Sequence, residues 1–500
     1  MRATRVQVEN VRRRAAEIVL ATDFIARMAG GQLTERAAAP VPQSEGKPFP
    51  KGELPHTPRP IPERCCSRMA DRGANLANAG SHPFEREELD MQPATNTTIA
   101  GAVSVAYGDN YFAYIGSDQR LYIFIGSQDR YFPAIDLFNQ YVAETGVTPS
   151  YPRTGIGMRS GGPIAMNSRA QSAQYDDTYL CYIDVNGHIQ ALNVPVYNWD
   201  GNQYGVGLPP GATNAGAINP DLTIRTGAPL AAPGSGLASY GWHSQQSQHV
   251  IYVGADGNVW ELYQLWEQFD DVRGGLLWQS NNLSERTGYV DELAPKENSP
   301  LSGATFETEG SEHVIYIAKD NTIRELWFYN GSWGGNNLTE ATGGAVAPAS
   351  NSALTVYAAE YEDTLHVAYL GVDGNIHELS WNRDGWQPHH AISQIVNVKP
   401  ASDTAIIGYA TEYETTYHVV YINQNNELQE LYHNSDGWNT TWLSASAGSG
   451  ATPPINSASP LAGYSEESRQ QQHIYYLDDQ TRVHEIYRKG NSWYAGETSN

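Results

Sequence analysis

HVIYIAKDNTIRELWFYNGSW, from His313 to Trp333, is one copy of a frame that organises most of this chain. It returns as HVAYLGVDGNIHELSWNRDGW (His366 to Trp386), HVVYINQNNELQELYHNSDGW (His418 to Trp438) and HIYYLDDQTRVHEIYRKGNSW (His473 to Trp493). In all four, Glu lies twelve residues after His and Trp eight residues after Glu. HVIYVGADGNVWEL from His249 keeps the first interval, and extra residues delay its Trp to Trp278. Two weaker copies precede it, with Tyr179, Ala191 and Trp199 at the three positions in one and Tyr111, Ile123 and Tyr131 in the other. A tyrosine three residues after the His position recurs in all seven copies, from Tyr114 to Tyr476. The position after the Glu is always large and apolar, from Phe124 to Ile486. Repetition of this kind identifies a repeat protein.

Each copy reads as four short strands. The first is small and aromatic (Ser239-Tyr240-Gly241, Gly408-Tyr409-Ala410), the second is H-V-x-Y, the third x-E-L-Y, and the fourth carries the Trp. Alternating polarity with Val, Ile, Tyr and Trp is what sheets favour. Between the second and third strands sit turns such as ADGN, VDGN and QNNE. Gly and Asn tolerate positive φ there, so a type I turn closing on a left-handed residue fits. The odd loop length puts His249 and Glu261 on one face of the hairpin as nearly facing neighbours, with Val and Tyr on the other.

Four-stranded units repeating about every fifty residues stack radially, which leaves no long exposed sheet edge. The expectation is an all-β fold, a β-propeller of seven blades of four antiparallel strands, over residues 97–500. The repeats fall near 97–150, 151–230, 231–298, 299–348, 349–400, 401–455 and 456–500. The segment Tyr197 to Ala231 reads as a long insertion. The last copy carries its own fourth strand, so ring closure is not evident, and MQPATNTTIAG is a candidate to dock there.

Residues 1–90 differ in kind. They are Arg- and Pro-rich with a net charge of +2, whereas the remainder carries −26 of the total −24. The Pro-rich part reads as disordered. The first thirty residues resemble a basic amphipathic helix, but Glu9, Glu17 and Asp23 argue against a transit peptide. A disordered tail, or a gene-model extension ahead of a start at Met91, are the plainer readings.

The acidic balance and the lack of a basic stripe argue against a nucleic-acid partner. No run is long and apolar enough for a membrane span. Three cysteines, Cys65, Cys66 and Cys181, make no disulfide framework and have no metal-ligand spacing. With no convincing signal peptide, the cytoplasm is favoured over secretion. Oligomeric state is left open.

The five pairs His249/Glu261, His313/Glu325, His366/Glu378, His418/Glu430 and His473/Glu485 admit two readings. One is structural, each carboxylate orienting its imidazole by a cross-strand hydrogen bond. The other is sugar binding, in which carboxylate and imidazole take hydroxyls and an aromatic ring takes the C–H face of a pyranose. Trp278, Trp333, Trp386, Trp438 and Trp493 are the candidate aromatic wall. The second reading requires the imidazole and carboxylate edges to reach solvent.

The spacing resembles that of the fungal fucose-specific lectin family and related bacterial propeller lectins, over about Thr97 to Asn500. In that family each blade carries a basic residue on its second strand, Glu or Gln twelve residues later, and aromatics that complete a pocket between blades. The resemblance implies that Glu261, Glu325, Glu378, Glu430 and Glu485 accept sugar hydroxyls. The basic position falls on the five histidines, where the family has Arg. Arg forks onto two oxygens and His offers one donor.

An enzyme is not expected, because the acid is copied blade by blade and no P-loop, G-x-S-x-G or H-E-x-x-H is present. No cofactor and no metal are implied, since a His/Glu pair supplies two ligands only. The reading is a multivalent carbohydrate-binding, lectin-like protein whose partners are glycans or glycoproteins. Its alternative is a non-catalytic protein-interaction propeller with no sugar ligand.

Overall fold

In a computed structural model, Pro93 and residues 97–103, 110–117, 121–127, 130–131, 135–136, 162–172, 175–193, 196–198, 204–206, 221–269, 276–448 and 452–496 are described. The N-terminal extension and Trp199 lie outside them. The described strands form seven antiparallel sheets in chain order, plus one isolated hairpin. Blade 1 comprises Ile99–Val103, Asn110–Ile115 and Leu121–Ser127, with Arg130–Tyr131 and Ile135–Asp136 both pairing the third strand. Blade 2 comprises Ile164–Ser172, Tyr175–Ile183 and Ile189–Asn193. Blades 3 to 7 begin at Leu237, Leu301, Leu354, Ile406 and Leu461 and have their full set of strands, the last ending at Gly496. Among the described residues blade 2 has three strands. Its next strand, Val196–Asn198, pairs with Tyr204–Val206 in a separate hairpin within the expected insertion.

First strands of successive blades lie side by side around the centre, and that of blade 1 lies beside that of blade 7. The ring therefore closes without exchange of a strand. Ile99 to Gly101, the end of MQPATNTTIAG, open the first strand of blade 1, and blade 7 keeps its own outer strand, Ser492–Gly496. The joint is made by side chains. Phe112 stacks on Tyr475 at 4.6 Å, inside a core shared by Ile99, Tyr114 and Phe124 of blade 1 with Ala462, Leu477 and Val483 of blade 7.

The central turns form as their sequence requires. In blade 3, Gly254 N–H donates to Asn258 O (2.8 Å) and Gly257 closes the loop at φ 81°. The equivalent left-handed positions are Gly187, Asn321, Gly374, Asn426 and Thr481. With this loop, Ile251 lies opposite Glu261 and His249 opposite Tyr263. His and Glu therefore share a face on the diagonal, not directly across. That face meets the next blade: Ile251 and Val253 of blade 3 pack with Val314, Tyr316 and Leu326 of blade 4.

Small polar groups repeat inside this packing. Tyr252, Tyr316, Tyr369 and Tyr421 donate their hydroxyls to the carbonyls of Pro229, Leu293, Val346 and Val398. Asn282 and Asn337, which end fourth strands, cap one-turn helices by accepting from Glu285 N and Glu340 N. Each helix buries a leucine and turns a hydroxyl back on the third strand, where Ser284 accepts from Val259 N and Thr339 from Ile323 N. Loops are tied across blades by carboxylates: Glu307 accepts from His243 N and Ser244 N, and Glu467 from Glu412 N and Tyr413 N.

Glycine sets the spacing of the first strands. A Cβ on Gly408 of blade 6 would sit 2.3 Å from the ring of Tyr357 in blade 5, and one on Gly303 of blade 4 would sit 2.2 Å from that of Tyr240 in blade 3. Overpacking of this kind costs about 1–3 kcal/mol. Gly408→Ala should lower unfolding free energy by that amount in denaturant titration, whereas a null effect would mean that the two first strands are not in contact.

Candidate functional site

The five His/Glu pairs form as the spacing requires. Nδ1 of His249, His313, His366, His418 and His473 lies 2.6, 2.8, 2.9, 2.8 and 2.8 Å from Oε1 of its glutamate. A carboxylate only accepts, so Nδ1 carries the proton. Nε2 then accepts a hydroxyl proton from Ser247, Ser311, Thr364 or Thr416 at 2.7–2.8 Å in the first four pairs. On one side of the imidazole a first-strand tyrosine stacks, Tyr240 on His249 at 5.1 Å, Tyr357 on His366 at 5.2 Å, Tyr409 on His418 at 5.0 Å and Tyr464 on His473 at 5.4 Å. The histidines are between 1% and 7% exposed and the glutamates between 1% and 3%.

That burial corrects one sequence expectation. The imidazoles do not offer an edge to solvent, because both ring nitrogens of the first four are already bonded inside the protein. They orient the carboxylates. The tyrosines were legible in principle, since each lies nine residues before its histidine.

The carboxylates differ from one another in their second oxygen. Glu261 Oε2 accepts from Asn281 Nδ2 (2.7 Å), and Glu325 Oε2 accepts from Asn336 Nδ2 (2.6 Å) and Trp386 Nε1 (3.3 Å). Gly496 packs against Oε2 of Glu485. Glu378 and Glu430 use only Oε1 among the described residues.

Trp386 belongs to blade 5 and Glu325 to blade 4, which reveals how the tryptophans are shared. Trp333 packs with blade 3, Trp386 with blade 4, Trp438 with blade 5 and Trp493 with blade 6. Trp278 leans on Tyr179 of blade 2, at 6.0 Å edge to face. Each pair therefore meets the aromatic of the following blade, not of its own repeat. Trp278 faces a copy in which Ala191 replaces the glutamate. The His473/Glu485 pair faces blade 1, where Asn110 Nδ2 lies 3.3 Å from His473 Nε2.

One of these junctions is an open cleft. Between blades 6 and 7 it has a volume of about 840 Å³, with His418, Glu430 and Tyr432 on one side, Arg488 and Trp493 on the other, and Glu414 at its margin. At the junction of blades 5 and 6 the ring of Tyr417 lies 4.2 Å from that of His366.

At the junction of blades 3 and 4 a third carboxylate enters. Glu312 Oε2 lies 3.0 Å from His249 Nδ1 and takes a 3.5 Å bond from Tyr240 Oη. His249, Glu261 and Glu312 bring three possible metal-ligand atoms together in a buried position. Burial, then the charge of Glu261, push Glu312 well above the usual carboxylate range, which favours its protonated form. The trio closes as a hydrogen-bond network. At the seam of blades 7 and 1, burial pulls His473 down, but Glu466 and Glu485 outweigh it and hold the imidazole above its ordinary value.

Comparison with known proteins follows the same geography. Residues 263–500 match the fungal fucose-specific lectin family. The match begins in the third strand of blade 3 and includes four of the five complete pairs. Among solved structures, a lectin of Burkholderia pseudomallei is similar over 82% of this chain and 100% of its own, at 14% identity and a TM-score of 0.53. AofleA from Arthrobotrys oligospora covers 82% of this chain and 89% of its own, at 11% identity and a TM-score of 0.47. The Aleuria aurantia lectin, described as a six-bladed β-propeller with a novel fucose recognition mode, covers 68% and 95% at 17% identity and a TM-score of 0.45. Likeness to the Burkholderia protein supports the fold. No curated protein sequence matches the chain. Among the described residues no helix is long and apolar enough to cross a membrane.

Glu312 generates a pH dependence of stability. In the unfolded chain it ionises near the ordinary value of 4.5, while the folded protein holds its proton to higher pH. Stability from this site is complete below the ordinary value and falls as pH rises towards the raised one. Glu312→Gln should therefore gain on the wild type between pH 5 and pH 8, by roughly 1 kcal/mol or more, because a tenfold change in a protonation equilibrium is worth about 1.4 kcal/mol. Parallel melting curves at the two pH values would refute this if the difference stayed constant.

Proposed function

We propose that this chain is a non-catalytic, lectin-like protein that binds monosaccharide units of glycans, fucose or a similar sugar, at clefts between neighbouring blades. The observation that carries this reading is the open cleft of blades 6 and 7, where a carboxylate held by histidine meets the tryptophan of the next blade. A carboxylate oxygen with no protein partner takes sugar hydroxyls, and an indole takes the apolar C–H face. Glu378 and Glu430 are the glutamates with such an oxygen, so their two junctions are the binding sites of this proposal. Glu261 and Glu325 are bonded through both oxygens and serve the blade junctions. Repetition around a ring adds avidity to sites that are individually weak.

A glycan array together with calorimetry on the full chain tests this. Saturable binding of a neutral glycan is expected, and Glu378→Gln with Glu430→Gln should remove binding while the melting temperature stays within a few degrees. Silence across the array would favour the interaction propeller instead. Binding untouched by the double substitution would move the site away from the carboxylates.

A further inference from the structure

The position fifteen residues after each histidine faces back into the junction with the preceding blade. It is Gln264, Phe328, Trp381, His433 and Arg488 in blades 3 to 7. In blade 3, Gln264 is buried and bonds Gln248 at 3.2 Å. Phe328 packs edge-on against Trp242 of the preceding blade at 6.2 Å, and Trp381 against Phe306 of the preceding blade at 5.9 Å. His433 stacks on Tyr417 at 4.7 Å. Only in blade 7 among these is the position a permanent cation, and there the junction is open.

We propose that Arg488 is the specificity-determining donor of the blade 6/7 cleft, taking adjacent hydroxyls of an uncharged pyranose, with Glu414 as a competing latch on the same guanidinium. This rests on the sugar reading above and adds which side chain chooses the ligand.

The argument is one of remaining hydrogen-bond capacity. His418 gives Nδ1–H to Glu430 and accepts from Thr416 on Nε2, so it has no donor left for a ligand. Glu430 brings a free acceptor oxygen but no donor. Arg488 pairs with Glu414 through one nitrogen, Nη1, and a guanidinium has five N–H groups. Both side chains remain about one-fifth exposed, 20% for Arg488 and 23% for Glu414. The fork of N–H groups matches two neighbouring oxygens in a way that a lysine ammonium does not. Trp493 supplies the apolar wall on the same side of the cleft.

Charge decides the ligand class. Two carboxylates, Glu414 and Glu430, line the cleft against one guanidinium. An acidic sugar would meet a net negative surface, whereas a neutral sugar meets no such repulsion and competes with Glu414 only for N–H groups of Arg488. Glu414 is also held by a 3.4 Å bond from Gln472 Nε2, which keeps the latch beside the guanidinium.

The test is calorimetric titration of the full-length wild type and variants with methyl α-L-fucoside, methyl β-D-galactoside and methyl β-D-glucuronide. A neutral glycoside should bind at least ten-fold more tightly than the glucuronide. Arg488→Ala should lower that affinity at least ten-fold and Arg488→Lys nearly as much, with unchanged melting. Glu414→Gln, which releases the guanidinium, should tighten binding several-fold and narrow the discrimination against the glucuronide. If Arg488→Ala does not fold, Glu414→Gln decides alone, and unchanged affinity there overturns the proposal. Binding of a neutral glycoside that is indifferent to Arg488 overturns this inference and leaves the sugar reading standing. A wild type silent towards all three glycosides overturns both.

Discussion

A carboxylate removed from water must find a partner, and in this protein that need is met between strands of the same hairpin. Five glutamates at 3% exposure or less each receive Nδ1–H from a histidine twelve residues earlier. Leaving such a charge unpaired would cost several kcal/mol, so the pair fixes the register of the two central strands as firmly as the turn does. Everything at the blade junctions is arranged around these pairs. A tyrosine stacks on one side of the imidazole in four of the five pairs, a glycine of the next blade makes room for that tyrosine in three of the described junctions, and the following tryptophan covers what is left.

The repetition of this unit makes its departures informative. Two glutamates are satisfied twice over by asparagine, and in one case also by tryptophan. One junction gains an extra acid whose burial raises its pKa, and one admits the ring of Tyr417. Of the positions fifteen residues after a histidine in blades 3 to 7, only that of blade 7, which lines the blade 6/7 cleft, is an arginine. The same pair joins the two central strands in all five of these blades, and among the described residues only Glu378 and Glu430 keep a carboxylate oxygen that no neighbour claims.

What the sequence made legible is what is local to a hairpin: the repeat, the left-handed turn residue, the shared face of His and Glu, and the core tyrosine. Those follow from strand alternation and loop length alone. What it hid depends on partners one blade away. Spacing alone does not say which pair each tryptophan meets, and Trp386 bonds Glu325, 61 residues earlier in the chain. The one-turn helices were overlooked because Asn-Leu-Ser and Asn-Leu-Thr look like the end of a strand until the Asn is seen to cap. Accessibility of the imidazoles was undecidable for the same reason, since the residues that seal them come from separate strands and separate blades.

Because every sheet of blades 3 to 7 is assembled wholly from its own consecutive segment, no strand has to be threaded back to complete the circle. The joint of first and last blades is chemically like any other, aromatic packing beside a His/Glu pair. A gene encoding such a ring can gain or lose one module by unequal crossing-over without stranding an orphaned edge. Blade count in this architecture is thus open to revision by duplication, and each new junction arrives free to diverge in the side chains that line it.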